Sequence, residues 1–287
     1  MNYRHAFHAG NFADVFKHVV LIGLLDAIKM KSTPFCFLDT HAGRGRYDLG
    51  ANESVRTGEH TNGIQRLLGA EPANDESLPI LLRDYLQQVR KMNDGSSIRH
   101  YPGSPLLASM SLRARDRAQL CELQSDEAAA LKALFRNDAR IGVHHRDGYA
   151  SLKALLPPQE RRGLVLIDPP FEAQEAEFAL IETALRDALA RWPTGTYAIW
   201  YPIKLSAPVL AFQRRLSELP ALKKLLIAEL LIHPANSPLR LNGCGMAIIN
   251  PPWQFDRNLA ETLPVLARIL AQSNDAQHRL AWLLGDS

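Results

Sequence analysis

Cysteine is scarce: the 287 residues contain three, Cys36, Cys121 and Cys244. They are far apart, without the paired spacing of a metal motif, and two of them fall inside predicted strands. The scarcity argues against a disulfide framework and predicts a reducing, cytoplasmic compartment and no bound metal. No apolar stretch reaches transmembrane length, and the N-terminus is polar and aromatic rather than a basic patch leading into an apolar signal core. Membrane insertion and secretion are therefore not expected. Internal repeats and low-complexity tracts are missing too. Charge of one sign is not in excess: the net charge of +3 is too small to argue for a nucleic-acid partner by itself. The glycine loop Gly43-Arg44-Gly45 lacks the third glycine of a dinucleotide fingerprint, which makes it a weak signal for NAD.

What is present is an ordinary globular composition, 46% hydrophobic and 22% charged, long enough for one large domain plus an insertion. Basicity is local. The first eighteen residues hold Arg4, His5, His8, Lys17 and His18 against Asp14 alone. Apolar positions from Val15 to Ile28 form the broad stripe of a core-packed helix. Phe35 to Leu38 reads as a first strand running into the glycine loop. From residue 50 to residue 97 the texture changes to Asn, Gly, Glu and Pro punctuation around one helical pattern, Leu78 to Val89. We expect a helical subdomain there, inserted into a parent domain of residues 1–49 and 98–287. Ser104 and Pro105 read as the N-cap and first position of the next helix. After it, strands at 119–123, 141–144, 164–167 and 197–201 alternate with helices at 127–135, 152–156 and 173–192, which predicts a mostly parallel sheet covered on both faces. Two further strands, 225–232 and 246–249, follow without an intervening helix and predict an antiparallel hairpin at one edge.

The chemistry is concentrated at the strand ends. Asp168-Pro169-Pro170-Phe171 follows the buried run Leu164 to Ile167, at the rim where open α/β sheets bind ligands. Two prolines fix φ and supply no N–H, so the Asp168 carboxylate and the Pro169 carbonyl form adjacent rigid acceptors with an aromatic ring beside them. Such a pair suits a planar group bearing an exocyclic NH₂: adenine N6, cytosine N4 or a glutamine amide. Glu122 closes the second strand, where an acid receives the two hydroxyls of a ribose. Asp147-Gly148 closes the third, where a carboxylate accepts from an adenine amino group and glycine admits the ring. Each could be a solvated acid or a simple turn. Glycine loop, acid, Asp-Gly and Asp-Pro-Pro-Phe at four consecutive strand ends are harder to attribute to chance. Their order, with seven strands ending in a hairpin, is that of a class I S-adenosylmethionine-dependent methyltransferase, a Rossmann-like α/β fold.

The chain resembles one family specifically. The blocks Tyr3-Arg4-His5-Ala6-Phe7-His8-Ala9-Gly10-Asn11, Leu38 to Gly43, Tyr101 to Pro105, Ile167 to Phe171, Trp200-Tyr201-Pro202 and Asn250-Pro251-Pro252-Trp253 look like the bacterial 23S ribosomal RNA adenine-N6 methyltransferases of the large-subunit J type. The resemblance implies a monomeric enzyme that uses S-adenosylmethionine to methylate one adenine of 23S rRNA, as naked or early-assembly RNA. It also implies Lys17, His41, Ser104, Glu122, Asp147 and Gly148 as cofactor contacts, Asp168 as the catalytic residue with Phe171 stacking on the base, and Tyr3 as a residue that touches RNA or closes the site. Phe171 stands where Tyr is frequent, which keeps the ring and removes a hydroxyl. Arg44 and Cys244 stand where smaller or more polar residues are expected. Rival readings are a protein-glutamine N5 methyltransferase, whose motif usually has Asn at the position of Asp168, a DNA adenine methyltransferase, and a non-catalytic RNA-binding protein of the same fold. His5, His8 and His18 read most plainly as solvated or capped side chains. The clusters Arg113-Arg115-Arg117, Arg161-Arg162, Arg214-Arg215 and Lys223-Lys224 are candidates for phosphate contacts, with solvated charge the plainer reading.

Overall fold

Helix α1, Phe12–Lys29, and strand β1, Cys36–Asp39, begin the central layer of the protein in a computed structural model that describes residues 4–70, 78–93, 98–238 and 241–285. Tyr3 lies outside the described residues. The chain continues through β2 (Arg46–Asp48), α2 (Asn52–Thr57), α3 (Ile64–Gly69), α4 (Ile80–Arg90), β3 (His100–Pro102) and α5 (Ser104–Ser111). A regular alternation follows: β4 (Arg117–Glu122), α6 (Ser125–Phe135), β5 (Ile141–His145), α7 (Gly148–Leu155), β6 (Gly163–Ile167), α8 (Gln174–Arg191), β7 (Thr196–Ile203) and α9 (Ser206–Ser217). It ends with β8 (Leu225–Leu231), β9 (Gly243–Ile249), α10 (Phe255–Leu270) and β10 (Gln277–Leu284).

Eight strands form one sheet in the order β10-β8-β9-β7-β6-β1-β4-β5, and β2 pairs with β3 separately. Strands β5, β4, β1, β6 and β7 run parallel, whereas β9 is antiparallel to both β7 and β8. This is the class I methyltransferase order, and β10 adds an eighth strand antiparallel to β8 where seven were expected. The hairpin therefore lies one strand inside the edge. After β1 the chain winds outward through β4 and β5, then crosses to β6 on the other side. The ligand crevice of an open sheet opens at such a reversal, outside the carboxyl ends of the strands.

The period of two along the buried strands divides the core. In β6, Leu164 and Leu166 face a layer containing α1, α4, α5 and α10, while Val165 and Ile167 face the layer of α7, α8 and α9. Leu81, Leu82, Tyr85 and Val89 of α4 share the first of these cores with Phe16 and Val20 of α1. Helix α1 is buried along almost its whole length, so the polar groups it carries, Asp14, Lys17 and His18, must find partners inside the protein. Cys36, Cys121 and Cys244 are all free, buried and in strands. No helix among the described residues is long and apolar enough to cross a membrane.

Candidate active site

A cleft of about 680 Å³ opens at the carboxyl ends of the parallel strands, and its walls include Lys17, His41, Ser104, Glu122, Asp147, Gly148, Asp168 and Phe171. Eight expected site residues from six separate segments thus share one cavity.

The wall at Asp168 is made by α1. The side-chain oxygen of Asn11 accepts from the Asp14 N–H at 2.9 Å and caps the helix, placing Asp14, Lys17 and His18 within one turn. The Lys17 ammonium donates to Asp168 Oδ2 at 2.6 Å and lies 2.9 Å from Asp14 Oδ1. Asp14 Oδ2 also accepts from the Gly10 N–H at 3.0 Å and meets His5 Nε2 at 2.9 Å. Burial alone would push the Lys17 pKa down, but the two carboxylates outweigh it and hold the ammonium well above its usual range. Burial would likewise raise Asp14, yet His5 and Lys17 hold it well below the usual carboxylate range. Lys17 is thus a charged brace on Asp168, and its ammonium is turned to carboxylates. His8 meets Glu59 at 3.0 Å and Asn11 donates to the same carboxylate at 2.9 Å, which ties the N-terminal segment to residues 59–62.

The opposite wall is made by loops after β1, β4 and β5. Gly43 has φ +61° and Gly45 has φ +80°, conformations that side chains with a Cβ rarely take, so the glycines allow the loop its tight course. Glu122 closes this loop: its Oε2 accepts from the Gly43 N–H at 2.9 Å and its Oε1 from the Gln124 N–H at 2.7 Å. Arg44 forms a two-point ion pair with Glu127 across the same rim, at 2.9 and 2.5 Å, and this accounts for an arginine where a small residue was expected. Asp147 caps α7 by accepting from the Ala150 N–H at 2.7 Å. Gly148 is required chiefly by the neighbouring chain, because a Cβ there would lie 2.1 Å from the Thr40 carbonyl oxygen.

Ser104 corrects the sequence reading. The N-cap of α5 is Gly103, and Ser104 is the first helical residue with its hydroxyl donated to Asp39 Oδ2 at 2.7 Å. Asp39 is buried at the end of β1 and needs donors more than the helix end does; it also accepts from the His41 N–H at 3.2 Å. Burial, reinforced by Asp168, pushes its pKa up to about 7. His41 is held neutral, its pKa pushed down to about 4 by burial, and its ring stands edge-on to Tyr149 at 5.2 Å.

At the acceptor end, the Pro170 carbonyl accepts from the Glu172 N–H at 2.9 Å, closing the turn that presents Asp168 and Pro169. The Phe171 ring is half-buried, 5.7 Å from Phe178 and 5.6 Å from Trp200. Sequence reasoning gave no role in the site to Asp14, Asp39 or Trp200, and it read His18 as an isolated histidine. Yet the spacing Asp14, Lys17, His18 is i, i+3, i+4, one face of a helix otherwise apolar, which is the signal that could have found two of them. His18 Nδ1 pairs with the Tyr101 hydroxyl at 2.9 Å, and that hydroxyl pairs with Tyr85 at 2.9 Å. The other His18 nitrogen, Nε2, is buried without a partner among the described residues, on a side chain that lines the cleft.

Residues 32–284 match the family described as Ribosomal RNA large subunit methyltransferase D, RlmJ. The chain belongs to this family. It is 40% identical over 284 residues to the Ribosomal RNA large subunit methyltransferase J of Haemophilus influenzae, and 38% identical over 286 residues to that of Escherichia coli, with 99% of each chain covered. A crystal structure of a protein from Legionella pneumophila superimposes with a TM-score of 0.86 at 36% identity, covering 96% of this chain and 98% of that one. Membership does not favour the protein-glutamine, DNA or non-catalytic readings.

Proposed function

We propose that this family member transfers a methyl group from S-adenosylmethionine to N6 of one adenine in 23S ribosomal RNA. The observation that carries this reading is the Asp168 carboxylate, braced at 2.6 Å by a buried ammonium and set beside Pro169 and Phe171 in the same cleft as Glu122 and Asp147. The residues fit the donor. Glu122 and Asp147 supply acceptors at neighbouring strand ends for ribose hydroxyls and an adenine amino group. Ser104, His41 and the unpartnered Nε2 of His18 offer polar groups deeper in the cleft. When bound, S-adenosylmethionine supplies an electrophilic methyl carried on a sulfonium.

The chain's own residues prepare the acceptor. The lone pair of an adenine amino group is delocalised into the ring, which makes N6 a weak nucleophile. Asp168 accepts one amino hydrogen and the Pro169 carbonyl the other, so the nitrogen is held in one orientation with more electron density left on it, and the proton that N6 sheds on gaining the methyl leaves by way of the Asp168 carboxylate to solvent. Lys17, donating to Asp168 at 2.6 Å, holds the carboxylate in place. Positioning of this kind is worth roughly 7–11 kcal/mol in favourable intramolecular reactions. An adenine within a helix cannot enter the cleft. It must be unpaired or everted, at a cost of a few kcal/mol that stacking on Phe171, worth about 1–3 kcal/mol per base, partly offsets.

Tyr3 is proposed to touch the RNA or to close the site, and residues 50–97 to act as an inserted subdomain beside it. Contacts between Glu59 and the N-terminal residues His8 and Asn11 support the second of these. We further propose a cytoplasmic monomer acting on naked or early-assembly RNA. To test the reading, radiolabelled S-adenosylmethionine is incubated with naked 23S rRNA, assembled large subunits, DNA and extract protein, and the products are digested. N6-methyladenosine from the naked rRNA is the expected product; label only in glutamine, in DNA or in another base defeats the assignment.

A further inference from the structure

Two of the arginines that the sequence offers for phosphate binding are spent elsewhere, and the lysine pair lies away from the cleft. Arg113 pairs with Asp116 and donates to the carbonyls of Lys31 and Thr33, and Arg162 donates to those of Thr33 and Ile28. Both sit at the start of β1, where the Cys36 N–H bonds the Arg162 carbonyl and the Arg117 N–H bonds that of Phe35. Lys223 and Lys224 precede β8, whose first residue is in register with Ile249 and, through it, with Tyr197 near the start of β7. These groups occupy the rim opposite the cleft.

On the cleft rim a different pair is built. Ile203, Gly243 and Leu231 lie in one register across β7, β9 and β8, so the residues after Ile203 and Leu231 leave the sheet side by side. Buried Asn242 fixes both exits. Its side-chain amide donates to the Lys204 carbonyl at 2.7 Å, and its backbone carbonyl accepts from the N–H groups of Ile232 at 2.9 Å and His233 at 3.2 Å. Lys204 and His233 both line the cleft at its acceptor end, with Trp200 and Pro202. Lys204 is exposed, and its ammonium has no acidic partner among the described residues. Beside it, where the Gln174 side chain donates to the Pro202 carbonyl at 3.1 Å, Glu172 and the first turn of α8 form an acidic edge, with Glu172 and Glu175 exposed and Glu177 half-buried, that repels phosphate.

We propose that Lys204 and His233, set side by side by Asn242, hold the RNA phosphates flanking the target nucleotide, so that the strand runs over the loops after β7 and β8 and away from the start of α8. The proposal rests on the reading of the protein as an RNA methyltransferase. The backbone of one strand then has a fixed side of entry, and Lys204 sets RNA affinity without touching the reacting atoms.

The test compares wild type with Lys204→Ala, Lys204→Glu and Lys204→Ala/His233→Ala on a naked 23S rRNA transcript, over a range of salt concentrations. Removing one phosphate contact lowers the slope of log affinity against log salt by about 0.7–0.9. For Lys204→Ala we expect that change and an RNA KM raised about two- to fivefold, the scale of one exposed ion pair. Charge reversal should raise KM further, while kcat at saturating RNA, S-adenosylmethionine affinity and the unfolding midpoint stay at wild-type values. Unchanged RNA KM and salt slope in all three variants overturn the proposal while leaving the activity standing; an unlabelled transcript with the wild-type protein instead removes the reading beneath it. A fall in kcat with KM unchanged also overturns it, because that behaviour belongs to a residue acting on the reacting group.

Discussion

Single side chains in this cleft are tuned against their neighbours, and two of them give opposite pH signatures. His41 titrates near 4 in the fold and near 6.5 when unfolded, so the unfolded chain binds the extra proton between those values and stability falls as pH drops from about 6.5 to about 4. Asp39 titrates near 7 in the fold and near 3.8 when unfolded, so here the folded state binds the extra proton. Its contribution is complete below the unfolded value and is lost as pH rises through 7. Asn at position 39 can still accept from the His41 N–H. Asp39→Asn should therefore become progressively more stable relative to wild type between pH 4 and pH 8, measured by urea unfolding at each pH. A stability difference that does not vary with pH would show that Asp39 is ionised throughout. Lys17 makes a stronger prediction. Its removal in Lys17→Met leaves buried Asp14 and half-buried Asp168 without their shared cation, which should cost about 3–5 kcal/mol in urea unfolding and abolish turnover. Asp168 was legible in the sequence because proline chemistry marks it. Its brace was not, since nothing in linear spacing joins residue 17 to residue 168.

Elements were legible where periodicity is strong. The alternation of buried strands and amphipathic helices from β4 to β7 is in the sequence, because a strand covered on both faces must be apolar throughout and its helices need one apolar stripe. Strand β10 was missed: it is an edge strand that starts with exposed Gln277 and His278 and is only half-buried from Arg279 onward, so it lacks the fully apolar run of the central strands. The cap of α5 was misread for a related reason. Ser104 satisfies the local rule for an N-cap, but a buried carboxylate 65 residues away claims its hydroxyl. Gly148 shows the same competition, since ligand access suggested glycine while the Thr40 carbonyl demands it. Gly148→Ala should force β1 and α7 apart, losing about 1–3 kcal/mol of stability. Calorimetric titration should also show weaker binding of S-adenosylmethionine, because Asp147 and His41 sit on the two segments that move. Wild-type stability and affinity in that variant would mean that the contact relaxes freely.

At the scale of the molecule, the sheet has one chemical rim and one structural rim. The carboxyl ends of β1, β4, β5, β6 and β7 gather acids, a neutral histidine and an aromatic ring into one cleft, while the opposite rim uses arginines to fasten loop carbonyls. The sequence could not separate the two, because a solvated cation, a loop clasp and a phosphate grip have the same composition. It did disclose the cleft, since four consecutive strand ends carried its chemistry. The central claim is that Asp168 activates the acceptor and is not needed to hold the donor. In Asp168→Ala, Lys17 keeps Asp14 as its partner, so the fold and the cofactor site should survive. The decisive measurement pairs calorimetric titration of S-adenosylmethionine into this variant with its turnover on naked 23S rRNA. Near wild-type affinity with turnover lost is the predicted result; near wild-type turnover would contradict the account.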